Sequence, residues 1–330
     1  MNNYTSVFKN RNVLITGGCG FIGSNLARKL IDYSANVKVV DSLIPDYGGN
    51  LYNLVGYEDR IKLNISDVRD QYSMEYLVKD QDYLFNLAGQ ISHIDSMNNP
   101  FLDQEINVRS QLSILEACRT QNTKVRIVFA STRQIYGKPT YLPVDEKHPL
   151  QPVDVNGINK IAGEFYHMLY GKVYRIPVTS IRLTNVYGPR MRIKDARQTF
   201  IGWWIRQAIE RKPIQIFGDG LQLRDLNYID DVVDALIGTA VADSTIGEIY
   251  NLGAKPISLL DLAKLFSQIE NDVCYELVPF PSERKSIDIG SFYGDYSKIK
   301  SAIGWEPQIN YCDGLRKTLD YYSKNLIRYL

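Results

Sequence analysis

The chain has 330 residues, 45% of them hydrophobic, which is enough to bury a large α/β core and excludes a marginal mini-domain. Lys and Arg total 38 against 37 Asp and Glu, a formal net charge of +1, so no broad basic field marks a nucleic-acid partner and no acidic tail is present. Recognition of an anion must therefore rest on a few placed arginines.

The opening stretch MNNYTSVFKNRN lacks the apolar core of a signal peptide, and no later run is long enough to span a membrane, so a cytoplasmic protein without a membrane partner is expected. Residues 13–15 read as a short buried parallel strand, after which the chain turns on Gly17 and Gly18 and enters a helix near Phe21 and Ile22. Gly17, Gly20 and Gly23 form G-x-x-G-x-x-G. In that pattern Gly17 permits a tight turn, Gly20 leaves room for a pyrophosphate, and Gly23 lets the helix pack on the strand. The free N–H groups and positive end of the helix would face the anion. An ordinary strand-to-helix loop has the same glycines, but residues 37–40 form a second strand ending in Asp41. A carboxylate there accepts from a ribose 2′-OH and repels a 2′-phosphate, which favours NAD over NADP.

Leu26, Leu30 and Ile31 fall at helical spacing and make a crossover helix, and 45–56 is a loop. Strand 61–65 is followed by Asp67 and Val68, where Asp67 suits either an adenine amine or the cap of the next helix. Strand 83–87 ends in Ala88, Gly89 and Gln90, small enough for close approach of a dinucleotide. A single helix is expected from 98 to 118, mostly core-facing. Strand 126–130 delivers Ser131 to Gly137 at its carboxyl end, where open α/β sheets place their chemistry. A proline-rich loop, 139–152, leads to a helix over 161–170 and a strand over 178–182. The expected fold is α/β, a Rossmann-type doubly wound parallel sheet. Beyond Asn185 the rhythm changes, so 1–182 is read as a dinucleotide domain, with a return near 226–252, and 183–330 as mainly a substrate lobe. Cys19, Cys118, Cys274 and Cys312 are scattered, which argues against a zinc centre and for a reducing compartment.

ITGGCGFIGSNLA, Asp41, NLAGQ, INV at 106–108, STRQIYG, RLTNVYGPR, FGDGLQLRDLNYIDDVVDAL and NLG follow one another nearly end to end. In these motifs the chain resembles the extended short-chain dehydrogenase/reductase family, in particular the NAD-dependent epimerases and dehydratases of nucleotide sugars, nearest the UDP-glucose 4-epimerase and CDP-tyvelose 2-epimerase type. The resemblance implies a bound NAD that removes a hydride from a sugar carbon, a tyrosine activated by a lysine that takes the hydroxyl proton, and a Ser or Thr that holds the oxygen. Thr132 matches the hydroxyl position and Lys160 the lysine. Four residues before Lys160, where the tyrosine belongs, stands Asn156, whose amide cannot act as a phenolate base. His93, Tyr136, Tyr187 or Lys160 could be the base instead; the substrate could be a keto sugar that needs weaker acid–base help; or the protein could bind without turnover.

Arg133 and Gln134 occupy the places of the Asp-Glu pair of 4,6-dehydratases and cannot do that pair's acid–base work near neutral pH. A conventional 4,6-dehydratase is disfavoured, and Arg133 could bind an acidic substituent or a phosphate. The resemblance further implies NAD contacts at Leu87, Ala88, Gly89, Asn107 and Lys160. Contacts to a nucleotide-diphosphate sugar are implied at Gln90, Thr132, Asn185, Arg190, Arg224 and Arg284, because a guanidinium meets phosphate oxygens bidentately. His148 and His167, in a loop and a helix, are weaker candidates than His93, and Asp145 and Glu146 are read as capping or solvating their loop. Epimerisation through a keto intermediate is the expected activity; a net oxidoreductase or decarboxylase on a sugar acid or keto sugar, or a silent binding protein, are the alternatives. A homodimer is expected, through the faces 112–118 and 161–170.

Overall fold

Seven strands pair in parallel in the order β7-β6-β5-β4-β1-β2-β3, where β1 is Asn12–Thr16, β2 Asn36–Asp41, β3 Ile61–Ile65, β4 Tyr83–Asn86, β5 Arg126–Thr132, β6 Val178–Leu183 and β7 Ile249–Asn251. The computed structural model describes residues 4–330 apart from 46, 271, 282–284 and 286. This is the doubly wound, Rossmann-type sheet expected. Successive side chains point to opposite faces, and both faces are covered. Val13 and Ile15 join one core with Leu26 and Leu30 of α1 (Phe21–Asp32); Leu14 points into another with Ile114 and Leu115 of α2 (Ser110–Gln121). The strand order reverses between β1 and β4, and a crevice opens there at their carboxyl ends.

Two helices depart from expectation. The run 98–118 is broken into His93–Asn98, Pro100–Gln104, a π-turn at Glu105–Arg109, and α2. Asn99 ends the first piece and caps the second, its Oδ1 accepting from Leu102 N at 3.2 Å, and Pro100 lacks the N–H that a continuous helix would need. The helix expected over 161–170 is α3, Val155–Tyr174. It starts early because Asp154 Oδ1 accepts from Gly157 N at 2.7 Å, a strong N-cap, so Asn156 and Lys160 lie in its first two turns. Glu164 on α3 meets Arg182 on β6 at 2.6 Å, a buried ion pair that ties helix to sheet.

The remaining elements form a smaller layer. Asn185–Tyr187 pairs with Leu226–Tyr228, and Ile214–Phe217 with Tyr275–Val278, while the helix Phe200–Ile209 packs against Tyr311–Asn325. Among the described residues no helix is long and apolar enough to cross a membrane.

Candidate active site

The glycine turn after β1 is shaped by what a side chain would strike. Gly17 has φ +66°, in the left-handed region, and a Cβ there would stand 3.0 Å from the Ala88 backbone. A Cβ on Gly23 would lie 2.3 Å from the Gly17 carbonyl oxygen, so α1 can seat on the turn only through glycine. Gly20, Phe21 and Ile22 open the helix at the crevice, with Val68, Leu87 and Gly89 on its walls. Thr16 Oγ1 donates to Asn86 Oδ1 at 2.8 Å and accepts from Leu87 N and Ala88 N at 3.1 and 3.2 Å, which fixes the small-residue turn after β4.

Asp41 sits at the end of β2 on the same crevice, its two oxygens accepting from Leu43 N and Cys19 N at 2.9 Å each. Burial pushes its carboxyl up, against those two bonds. Asp67 also lines the crevice, but Arg69 pairs with it at 2.6 Å, and the cap of the following helix falls on Asp70, whose Oδ1 accepts from Tyr72 N. Asn107, in the π-turn, donates to Gln90 O at 3.0 Å, while its Oδ1 is buried without a partner among the described residues, beside Gly89. A buried orphan acceptor at the edge of a glycine cradle fits a dinucleotide.

Lys160 reaches the same region from α3, 7% exposed, with Nζ donating to Ala130 O at 2.6 Å. Burial pulls it down to about 8, although Asp103 and Glu164 act the other way. Thr132 ends β5 and caps the one-turn helix Arg133–Tyr136, accepting from Gln134 N at 3.3 Å. Asn156 is turned inward. Its Nδ2 donates to Gln90 O at 2.8 Å and to Asp103 Oδ2 at 2.9 Å, and its backbone N–H meets Ser96 Oγ. Gln90 folds onto its own loop through Ser92. His93 bonds Asp154 through Nδ1 and the Gln134 amide through Nε2.

Two of the alternative bases are withdrawn by their surroundings. Tyr136 OH donates to Asn251 Oδ1 at 2.7 Å and accepts from Arg182, and burial pushes it up to about 12. Tyr187 OH is buried against the Gly314 position without a hydrogen-bond partner among the described residues, and burial raises it further still. Glu146 ties its loop to β7 by accepting from Asn251 N at 2.7 Å, whereas Asp145 caps locally, as expected. His148 accepts from Thr140 N, and His167 stacks on Phe129; both are structural.

On the far side of Thr132, Arg133, Asn185 and Arg224 come together. Arg133 Nη2 lies 3.5 Å from Asn185 Oδ1, and its guanidinium sits over Phe292. Partial burial and the charge of Arg224 lower Arg133 to about 10. Arg224 is held by Leu223 O and Gly290 O, with Asp288 at 3.8 Å. Asp225, pushed up to about 7 by burial, accepts from Gly294 N, and its second oxygen has no partner among the described residues. The structure does not bring Arg190 to this group: its Nε donates to Asn25 Oδ1 on α1 at 3.0 Å and its guanidinium lies over Tyr321. Arg284 lies outside the described residues. Sequence reading missed Asp154 and Asp103. The first had a local signal, an Asp just ahead of a helix; the second had none.

The model of the NAD-dependent epimerase/dehydratase family matches residues 13–253. A putative UDP-glucose 4-epimerase of Methanocaldococcus jannaschii is 33% identical over 315 residues, covering 95% of this chain and 99% of that one. The CDP-paratose 2-epimerase of Salmonella typhi is 31% identical over 337 residues, covering 94% and 99%. The solved UDP-glucuronic acid 4-epimerase of Bacillus cereus, in complex with UDP-glucuronic acid and NAD, has a TM-score of 0.84 at 28% identity, covering 96% of this chain and 99% of that one. With the glycine cradle and the orphan acceptor of Asn107 beside it, the chain belongs to the NAD-dependent epimerase/dehydratase family and is an NAD-dependent enzyme.

Proposed function

We propose that the protein epimerises a nucleotide-activated sugar through a transient keto intermediate. The observation that carries this is the placing of Thr132 and Lys160 between two anion-ready regions, the glycine cradle on one side and Arg133, Asn185 and Arg224 on the other. Bound NAD would supply reversible hydride transfer. Gly17, Gly20 and Gly23 leave room for its pyrophosphate, Asp41 faces a ribose, and Asn107 Oδ1 accepts a donor from the ligand. Thr132 Oγ1 holds the reacting oxygen, and the Lys160 ammonium favours negative charge on it. Arg224 and Asn185 take the diphosphate of the substrate, and the lobe 183–330 supplies most of its nucleotide contacts.

Purified protein is expected to release NAD on denaturation; NADP would refute the role of Asp41. Incubation with UDP- and CDP-hexoses in heavy water, read by NMR, is expected to show a stereoisomer with the substrate's carbon hydrogen retained, since the hydride is returned. No product from any nucleotide sugar would sink the reading.

A second reading has its own support. Arg133 is a partly buried guanidinium with no carboxylate paired to it among the described residues, which suits a uronic acid substrate and a decarboxylase. Labelled CO2 released from such a substrate would decide for it. We further infer a homodimer in the cytoplasm. Ile158, Phe165, Leu169 and Val173 lie 51–56% exposed along one face of α3, an apolar stripe that a second copy would cover. A monomeric mass by light scattering would contradict this.

A further inference from the structure

We infer that His93, held by Asp154, is the proton acceptor and donor of this site, the task an asparagine at 156 cannot perform. The inference rests on the epimerase reading above. Both amide hydrogens of Asn156 are committed inward, to Gln90 O and Asp103, and its oxygen is no base. Tyr136 OH is committed to Asn251, Tyr187 OH is buried with no partner among the described residues, and Lys160 Nζ is bound to Ala130 O. His93 is the candidate left at the surface of the site, with its side chain 32% exposed and that of its partner Asp154 2%.

The pair is built as a proton relay requires. Asp154 is immobilised: one oxygen caps α3 through Gly157 N at 2.7 Å, and the other meets His93 Nδ1. A carboxylate on Nδ1 keeps the proton there, leaves the Nε2 lone pair outward, and stabilises the imidazolium once a second proton arrives. Among the described residues Nε2 meets only the amide of Gln134, two residues from Thr132, so a sugar hydroxyl held by Thr132 takes the place of that amide. The charged neighbours are few. Arg133 lies on the Thr132 turn and interacts with Asp154; Lys160 lies on α3 beyond Asn156; Asp95 lies on the short helix that His93 begins.

The task of His93 is a proton transfer: on oxidation of the carbinol the hydroxyl proton passes from oxygen to Nε2, and on reduction of the ketone the same proton comes back from Nε2 to oxygen. Bound NAD would supply the matching hydride transfers, so the cycle balances with no other oxidant or reductant.

The test uses the full chain with its NAD and the nucleotide hexose it turns over among UDP-glucose, UDP-glucuronic acid and CDP-glucose. His93→Ala is expected to lower kcat at least 100-fold with KM within threefold, and added imidazole to restore at least tenfold. Asp154→Asn retains the cap, because Asn caps as well as Asp, but removes the charge. Its kcat is expected to fall about tenfold with KM within threefold, as the imidazolium loses its counter-charge. A readout independent of turnover is the ring-nitrogen NMR of His93, expected to show the proton on Nδ1 in the unmutated chain and off it in Asp154→Asn, whose amide nitrogen would face Nδ1 and donate to it. Activity of His93→Ala within threefold of the unmutated chain, a loss that imidazole leaves unrepaired, or a His93 tautomer unchanged in Asp154→Asn each overturns the inference. An unmutated chain inert on all nucleotide sugars overturns the epimerase reading itself, a failure visible before any variant is made.

Discussion

Asn156 Nδ2 donates to Asp103 Oδ2 at 2.9 Å while Asn159 Nδ2 occupies Oδ1 of the same carboxylate at 2.7 Å. Position 156 is thus a working member of a buried polar network, since Asp103 and Asn156 are each 1% exposed. Asn156→Tyr would strip a donor from that carboxylate and force a phenol ring into the network. We expect a loss of about 2–3 kcal/mol in urea unfolding, from the unsatisfied acceptor alone, and a fall in turnover. A gain of activity on a common hexose with stability unchanged would show that the site had merely lost its tyrosine.

Gly23→Ala tests the cradle. The added methyl would lie 2.3 Å from the Gly17 carbonyl oxygen, a backbone atom that can move only with the turn. The helix must shift from β1, at a cost of about 1–3 kcal/mol by analogy with other overpacked sites. NAD affinity, measured by calorimetry, is expected to fall at least tenfold; unchanged affinity would show that the turn does not hold the pyrophosphate.

The buried pair Glu164–Arg182 makes a different demand. Arg182 is 4% exposed, gives its Nη2 and Nε to Glu164, and reaches Tyr136 OH with Nη1 at 2.6 Å. Glu164→Gln leaves a buried guanidinium without its counter-charge, which costs about 3–5 kcal/mol. Arg182→Met with Glu164→Leu is expected to recover most of that, because the pair's own desolvation is removed with it. Denaturation midpoints of the two variants check this; equal losses would mean that the pair contributes specificity rather than avoiding an uncompensated charge.

His167 gives the protein an acid-sensitive joint. It stacks at 4.1 Å on Phe129, meets Gly163 O with Nδ1 at 2.8 Å and Asn86 Nδ2 with Nε2 at 3.1 Å, the pattern of a neutral ring. Burial lowers it to about 4, against about 6.5 in the unfolded chain. Between those values the unfolded state takes up a proton that the folded state refuses, so stability is lost as pH falls from about 6.5 to 4, by on the order of 3 kcal/mol. His167→Gln removes that proton, and the gap in stability between it and the unmutated protein is expected to narrow as the pH is lowered through this window. A gap constant with pH would place the acid loss elsewhere.

The strand–glycine turn–helix at 13–23, the Asp ending β2 and the succession of βα units were legible in the sequence, because each rests on local backbone geometry and on a hydrophobic period carried by consecutive residues. Helix ends were less so: the early start of α3 depends on one side chain, Asp154, capping a turn whose apolar pattern begins later. What only the tertiary structure decided is where long side chains turn once the elements dock. Arg190 could have joined Arg224 on charge alone, yet the strand on which it follows runs past α1 and leaves it against Asn25 and Tyr321. His93 and Asp154 are 61 residues apart, and Asn156 and Asp103 are 53 apart. No local pattern encodes such meetings. They arise when the turn after β4 and the first turn of α3 are brought to one edge of the sheet, and burial there leaves each polar group to find its partner among the few within reach.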